Sequence, residues 1–407
     1  MDISMHSKVY LIALLLLVGC ASDKENAVPE HLAQIENLTA HLEPPTPTSD
    51  IEFIREISFG DTEEVLFGRM VENIAVDQSG KVFLADLTES TIHVFDFDGS
   101  YVQSIGQRGQ GPGEFQAIWD FKIHDEKIHV LDTQRFSISV FDLNTLDHIR
   151  DYDISLNDEQ DNQPSWLRWT REKGLFYRPT NIFIRSNGNY LLLFSDASIG
   201  MANNVDGRTY EGSIYDPQEG EFQTHDVVSF TWTGQVLVHE EGDGLMVLFR
   251  VPYKRHSLFD FSNDQFVHGW SDEMLFRFHD EKGDYQKALY YSYANSELQF
   301  DDLLKHYEDS RDNVIQAIRS DDHPETWPAF HSLIFDDENR LWVSTMTDDQ
   351  NSYEWWVLDE AGNLMATFSW PRTRDLKLVK DNYAYTLERD TETGLQEVVR
   401  YKITIRS

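Results

Sequence analysis

The sequence predicts an all-β fold, a six-bladed β-propeller with four-stranded blades, from three observations. A unit of two hairpins repeats, six copies of it follow one another, and one unpaired strand precedes the first copy. The first hairpin of a unit is clearest at Ile74-Ala75-Val76-Asp77-Gln78-Ser79-Gly80-Lys81-Val82-Phe83-Leu84, an apolar strand, a tight polar turn and a second apolar strand. It recurs around Phe121, Ile182, Leu258, Leu333 and Leu376. The second hairpin is marked by an aspartate closing an apolar strand: Asp96, Asp142, Asp216, Asp280 and Asp359, with a degenerate sixth copy at Arg400-Tyr401-Lys402. An aspartate carboxylate accepts from backbone N–H groups two residues on and so fixes the turn.

The sixth unit runs out of chain before its fourth strand. The strand-like segment from Phe53 to Phe59 is the natural supplier of that strand, which closes the ring and leaves no open sheet edge. An open solenoid would need polar caps at both ends, and none is visible. A helix is expected over residues 297–319, between blades 4 and 5, from the spacing of Leu303, Leu304, Tyr307, Val314, Ile315 and Ile318 and from a capping box of Ser296 with Gln299.

The amino terminus reads differently. Residues 9–18 are apolar and too few to span a bilayer core. The run ends in Leu17-Val18-Gly19-Cys20, which resembles the lipobox of bacterial lipoproteins, and Cys20 is the only cysteine in the chain. The resemblance implies a signal peptide over residues 1–19, cleavage before Cys20 and acylation of that residue, hence a membrane as partner. No aspartate follows Cys20, which favours the outer membrane, on its periplasmic or cell-surface side. Residues 20–50, with Pro44, Pro45 and Pro47, read as a flexible tether, leaving 51–407 for the propeller. The net charge of −37 argues against nucleic acid, whose phosphates would be repelled.

The segment from Ile74 to Phe115 resembles NHL repeats, in Asp77-Gln78-Ser79-Gly80-Lys81 and in Gly106-Gln107-Arg108-Gly109-Gln110-Gly111-Pro112-Gly113-Glu114-Phe115. Together with the stretch from Val251 to Asp280 it is similar to NHL-like and TolB-like bacterial six-bladed propellers. Such propellers include binding scaffolds, lyases and lactonases, so the resemblance implies a fold and leaves the activity open.

The long connections, 155–177, 232–254 and 296–329, all join one blade to the next, so they decorate one face, and that face is the candidate functional surface. Residues just before each inner strand crowd the axis. The aligned copies are Glu72-Asn73, Trp119-Asp120, Thr180-Asn181, His256-Ser257, His331-Ser332 and Arg374-Asp375. Glu72, Asn73, Asp120, Asn181, Arg255, His256, His331, Arg374 and Asp375 are the candidate ligand-binding residues. Lys254 and Arg255 beside His256 suggest an anion-binding quarter. His256 and His331, joined by Asp120 or Glu72, would hold one divalent metal, zinc or calcium. Trp166, Trp169, Trp232 and Trp327 lie in the insertions, where they could stack on a sugar or peptide.

No Gly-x-Ser-x-Gly elbow, phosphate loop or second cysteine is present, and no catalytic residue can be named. The expected function is a membrane-anchored binding module for a peptide, glycan or protein. The alternatives are a metal-dependent hydrolase or lyase with its site on the axis, and a structural part of an outer-membrane assembly.

Overall fold

The computed structural model describes residues 28–43, 45–67, 70–156, 164, 167, 176–196, 208–232, 234–239, 246–308, 310–390 and 394–406. Cys20, the signal peptide, Trp166, Trp169 and most of the first insertion lie outside these.

Six antiparallel sheets follow one another around an axis. From the innermost strand outward, blade 1 is Met70–Val76, Val82–Asp86, Thr91–Phe95 and Tyr101–Ile105. Blade 2 is Ile118–His124, Lys127–Asp132, Ser137–Asp142 and His148–Asp153. Blade 3 is Tyr177–Ile184, Tyr190–Asp196 and Arg208–Asp216, with an outer strand in two pieces, Glu221–Thr224 and Ser229–Trp232. Blade 4 is Ser257–Ser262, Gln265–Trp270, Leu275–His279 and Tyr285–Tyr291. Blade 5 is Phe330–Phe335, Leu341–Met346, Ser352–Leu358 and Leu364–Pro371.

Blade 6 has three late strands, Arg374–Lys380, Tyr383–Arg389 and Gln396–Arg406, and takes its outer strand, Asp50–Phe59, from the start of the chain. Asp50 pairs with Arg406 and Phe59 with Val398, so the ring closes as expected.

Each sheet is sandwiched between two others, which explains why its middle strands are apolar without alternation. All of Val82–Asp86 and all of Leu341–Met346 are buried. The hydrophobic cores are correspondingly interfacial. One holds Phe83, Phe115, Phe121 and Phe141 between blades 1 and 2. Another holds Trp342, Trp355, Trp370 and Tyr401 between blades 5 and 6. The hairpin aspartates do what their spacing predicts. Asp142 accepts from the N–H groups of Asn144 and Thr145 at 2.9 and 2.8 Å, and Asp359 accepts from that of Asn363 at 2.7 Å. Gly99 follows Asp96 at φ +87°, where a Cβ would also lie 2.5 Å from the Ile57 side chain, so the turn requires glycine.

Three local expectations are corrected. The helix over 297–319 is two helices, α1 (Phe300–His306) and α2 (Asp312–Ser320). They are joined through a turn at Tyr307, and neither has a side-chain cap. Ser296 instead donates its hydroxyl to the Met346 carbonyl, so the capping box does not form.

The tether is also shorter than residues 20–50. Leu38–His41 pairs in parallel with Tyr285–Tyr291 as a fifth strand of blade 4. Leu32 is 1% exposed against Leu275, Ala288 and Tyr290, and His41 stacks on Tyr291 at 4.6 Å. Farther on, Thr48 and Ser49 donate to the Met365 carbonyl on blade 5. The amino-terminal arm is therefore a strap along the outer edges of blades 4 and 5. The edge of blade 4 offers unpaired backbone groups, and the arm satisfies them.

Leu32→Ala is expected to release this arm. Truncating a buried leucine costs about 2–5 kcal/mol, comparable to the whole docking energy of a four-residue strand. Hydrogen exchange at Leu38–His41 should speed at least tenfold while the inner strands keep their protection. Unchanged exchange would mean that the backbone ladder alone holds the arm.

The third correction concerns Trp327, which is 2% exposed and part of a core rather than a stacking platform.

Candidate functional site

The face on which the inner strands begin, here the top face, carries the insertions. The opposite face among the described residues has only tight hairpins such as Asp125-Glu126 and Asn263-Asp264. The second insertion forms a hairpin, Gln235–His239 with Met246–Arg250. It packs on α2, where Asn313 Nδ2 donates to the His239 carbonyl at 3.0 Å. Val236, Val238, Tyr253, Leu303, Val314, Ile318, Trp327 and Met346 make one core from both insertions and blade 5. The two insertions thus form a single cap on the top face beside blades 4 and 5.

The entrance of the axis is shaped by β-bulges. The inner strands of blades 2, 3, 5 and 6 each carry one extra residue: Trp119, Thr180, His331 and Lys377. Blade 1 has a longer irregularity between Met70 and Ile74, and the inner strand of blade 4 is regular, with His256 just before it. A bulge re-aims the side chains on either side of it. The sequence alignment placed the blade 6 member at Arg374-Asp375, three residues early, because a bulge leaves no mark in hydrophobic periodicity. Lys377 is the residue at that position. Its ammonium lies 2.5 Å from Asp375, while Arg374 lies 3.6 Å from Glu388 and away from the axis group.

The candidates then separate by role. Asp120 is 2% exposed and accepts from Asn73 Nδ2, from Lys122 Nζ at 3.0 Å and from the Ile182 N–H at 3.0 Å. It ties the inner strands of blades 1, 2 and 3 together. Asp260 does the same between blades 4 and 5 through the Phe335 N–H at 2.7 Å. Lys380 bonds the Val76 carbonyl at 2.6 Å and joins blade 6 to blade 1. Inner strands have one unpaired edge facing the axis, and these side chains satisfy it. Burial raises the Asp120 carboxyl and pushes that of Asp260 up to about 6. Asn73 and Asp120 are thus latches of the ring. Asn181 follows the bulge of blade 3 and is half-buried, and the Glu72 side chain lies outside the described residues.

Arg255 is a strut rather than an anion donor. It reaches Asp272 at 2.7 Å, the Thr326 carbonyl at 2.6 Å and the Thr326 hydroxyl at 2.8 Å. Lys254 pairs with Asp321 at 2.8 Å. Both pin the cap to blade 4.

His256 and His331 do come together, their ring centroids 6.3 Å apart. His331 also stacks on Tyr353 at 4.9 Å, and Arg372 covers Tyr353 at 4.7 Å. Burial lowers His256 to about 4. It lowers His331 to about 3, helped by the positive charges of Arg250, Arg372 and Lys377 and by His256. Both rings are neutral at pH 7. Of their two predicted partners, Asp120 does not join them, since it is held in its latch. Among the described residues no three His, Cys, Asp or Glu side chains gather in a way that could hold a metal. The divalent-metal expectation for His256 and His331 therefore finds no fit there.

Two open clefts lie elsewhere, one of about 400 Å³ along Ala40–Glu43 of the arm and one of about 370 Å³ lined by Arg108, Gly109, Gln110, Gln116 and Gln134. Neither includes a predicted axial residue.

Fold and site define a six-bladed β-propeller whose top face bears a cap and a histidine-lined axial entrance. Residues 47–211 match the DUF5128 family, described as a 6-bladed beta-propeller. No curated protein matches the chain. Among solved structures, a protein of Bacteroides fragilis NCTC 9343 whose name marks it as exported is similar at 11% identity with a TM-score of 0.50, over 91% of this chain and all of that one. A DUF4221-family protein of Bacteroides vulgatus is similar at 12% identity with a TM-score of 0.51, over 88% of this chain and 99% of that one. At these identities the likeness concerns the fold.

Proposed function

We propose that the chain is a lipid-anchored, extracytoplasmic binding module of a bacterial outer membrane, which receives a peptide, glycan or protein on its top face. The observation that carries this reading is the cap. Two insertions separated in sequence build one packed unit on the same face, beside the axial entrance, while the other face is trimmed to tight turns. A scaffold that only filled space would have no reason to spend some fifty residues on one rim. The lipobox-like ending at Cys20 and the exported relative of the same fold support the location. The binding reading is favoured over a metal-dependent hydrolase because the axial histidines lack a third ligand among the described residues.

The location is tested with Cys20→Ser. The parent chain should sediment with membranes and take up labelled palmitate, and the variant should be released in soluble form. Equal sedimentation of both would refute the anchor. The binding role is tested with that soluble full-length variant on glycan and peptide arrays, beside a second variant in which a short Gly-Ser turn replaces residues 235–250. Retention of one probe class, lost with the hairpin, is expected. Retention that ignores the hairpin would move the site off the cap.

A further inference from the structure

The cleft of about 370 Å³ lined by Arg108, Gly109, Gln110, Gln116 and Gln134 opens on the top face, where blade 1 runs into blade 2. In a ring of six blades that is across the axis from the cap. Small-molecule sites run from roughly 300 to 1,000 Å³, so the cleft is large enough to be one.

Its walls are locked. Asp132 is fully buried, and its carboxylate accepts from the N–H groups of Gln116 at 2.6 Å, Ala117 at 3.2 Å, and Gln134 and Arg135 at 3.0 Å. One buried anion thus sets the backbone under two lining glutamines. The glycine-rich loop opposite is closed by the Gly109 N–H on the Phe115 carbonyl at 3.0 Å and the Phe115 N–H on the Gln107 carbonyl at 2.9 Å. Glu114 braces it by accepting from Gln107 Nε2 at 2.7 Å and from the Gly111 N–H at 2.8 Å. Gly109 has no room for a side chain, because a Cβ there would overlap the Glu114 carboxylate.

The side chains are the reverse of the walls. Among the described residues, the side-chain amides of Gln110, Gln116 and Gln134 have no hydrogen-bond partner. Arg108 gives one N–H to the Thr88 carbonyl at 2.7 Å and meets no acid. A fixed backbone that presents unengaged polar groups to a hollow is preorganised for a ligand.

The lining narrows the ligand class. No apolar side chain lines the cleft, which argues against a lipid or an apolar peptide anchor. No carboxylate or histidine lines it, which leaves a metal without its usual ligands. Arg108 is the one charge, too little for a phosphate dianion in a chain of net charge −37. An extended peptide needs free backbone groups to pair with, and the Gly109, Gln116 and Gln134 N–H groups are taken. What remains is a set of carboxamides, each of which both donates and accepts. Sugar hydroxyls do the same.

We propose that this cleft binds a neutral sugar unit of a glycan, its hydroxyls bonded to the side-chain amides of Gln110, Gln116 and Gln134 and to the free N–H groups of Arg108. The inference rests on the top face being the binding face, and it adds a sugar subsite away from the cap.

The test is a titration of the full-length Cys20→Ser chain, nitrogen-labelled at glutamine side chains, with maltose, cellobiose, lactose, triglycine and inorganic phosphate. At least one of the disaccharides should bind with a Kd of about 1 mM or tighter, and the side-chain signals of Gln110, Gln116 and Gln134 should move together. Each signal is assigned by its loss in the corresponding Gln→Ala variant. The affinity should not change with added salt, since the ligand carries no charge. Gln116→Ala with Gln134→Ala should weaken binding at least tenfold. These amides bond nothing in the protein, so the urea midpoint of the double variant should match the parent's.

No shift with any disaccharide at roughly 20 mM, where even a millimolar site would fill, would overturn the proposal. So would triglycine or phosphate binding more tightly than every sugar, or affinity indifferent to the double variant. Sugar binding that survives replacement of residues 235–250 by the Gly-Ser turn and falls with the double variant establishes this subsite, whatever the arrays show for the cap. Sugar binding that falls with the hairpin and ignores the double variant overturns the subsite and leaves the cap reading standing.

Discussion

A chain that begins at Gly60 is expected to lose cooperative folding altogether. It lacks Asp50–Phe59, the strand that joins the two ends of the ring. Phe59 is fully buried against Phe95, and Phe53 packs at 4.6 and 4.8 Å on Phe368 and Trp370. Deleting one buried phenylalanine side chain costs about 3–5 kcal/mol. Losing two aromatic anchors with a nine-pair ladder exceeds the roughly 5–15 kcal/mol that a domain has in all. The bare edge of Gln396–Arg406 would also invite association. A chain that begins at residue 45 removes only the docked arm and should keep a single sharp urea transition. The measurement is near-ultraviolet circular dichroism with urea titration of both. A sharp transition in the shorter chain would show that the ring closes without its clasp.

The second large effect is acid sensitivity. Burial pushes seven histidines down: His129 and His256 to about 4, His268 and His331 to about 3, and His41, His93 and His279 in the same direction; the first four dominate. His129 bonds the Tyr190 hydroxyl at 2.9 Å, and His268 is stacked on Phe230 and His279. In the unfolded chain these rings take a proton near pH 6.5 and in the folded one they resist it. Their stabilisation is present above pH 6.5 and is lost as pH falls towards 4. At 1.36 kcal/mol per pH unit each of the first four is worth on the order of 3 kcal/mol. Because His256 and His331 repel each other's protons, the total for these four is less than four times that.

Asp260 works in the opposite direction. Its carboxyl, raised to about 6, sheds an unfavourable charge on acidification and returns on the order of 3 kcal/mol. Burial also raises Asp120 and Glu211, but seven lowered histidines outweigh three raised carboxyls, so the urea midpoint should fall steadily from pH 7 to pH 4.5. The double variant His129→Gln with His268→Gln should flatten that decline. A midpoint that rises on acidification would mean that the carboxyls dominate.

What the sequence revealed divides by range. The hairpin aspartates were legible because their bonds reach only two to four residues along the chain. Ring closure was legible from the strand count, without any contact being known. The pairing of His256 with His331 emerged because both begin inner strands of adjacent blades.

Lys377 was missed for the opposite reason. One extra residue in an otherwise regular strand shifts every alignment that passes through it, and only the paired register shows it. The docking of Leu38–His41 was equally hidden. Four residues give too short a pattern, their partner lies some 250 positions away, and the prolines that follow look like a linker. Arg255 looked available because charge is visible in a sequence and its partners Asp272 and Thr326 are not.

The docked arm has a mechanical consequence for a protein held at Cys20. Only seven residues separate Cys20 from Val28, where the described arm begins. Fully stretched, they span about 28 Å, less than the width of a propeller. In the proposed lipid-anchored form, the body would therefore ride on a leash shorter than itself, fastened at the outer edge of blade 4 rather than beneath the axis.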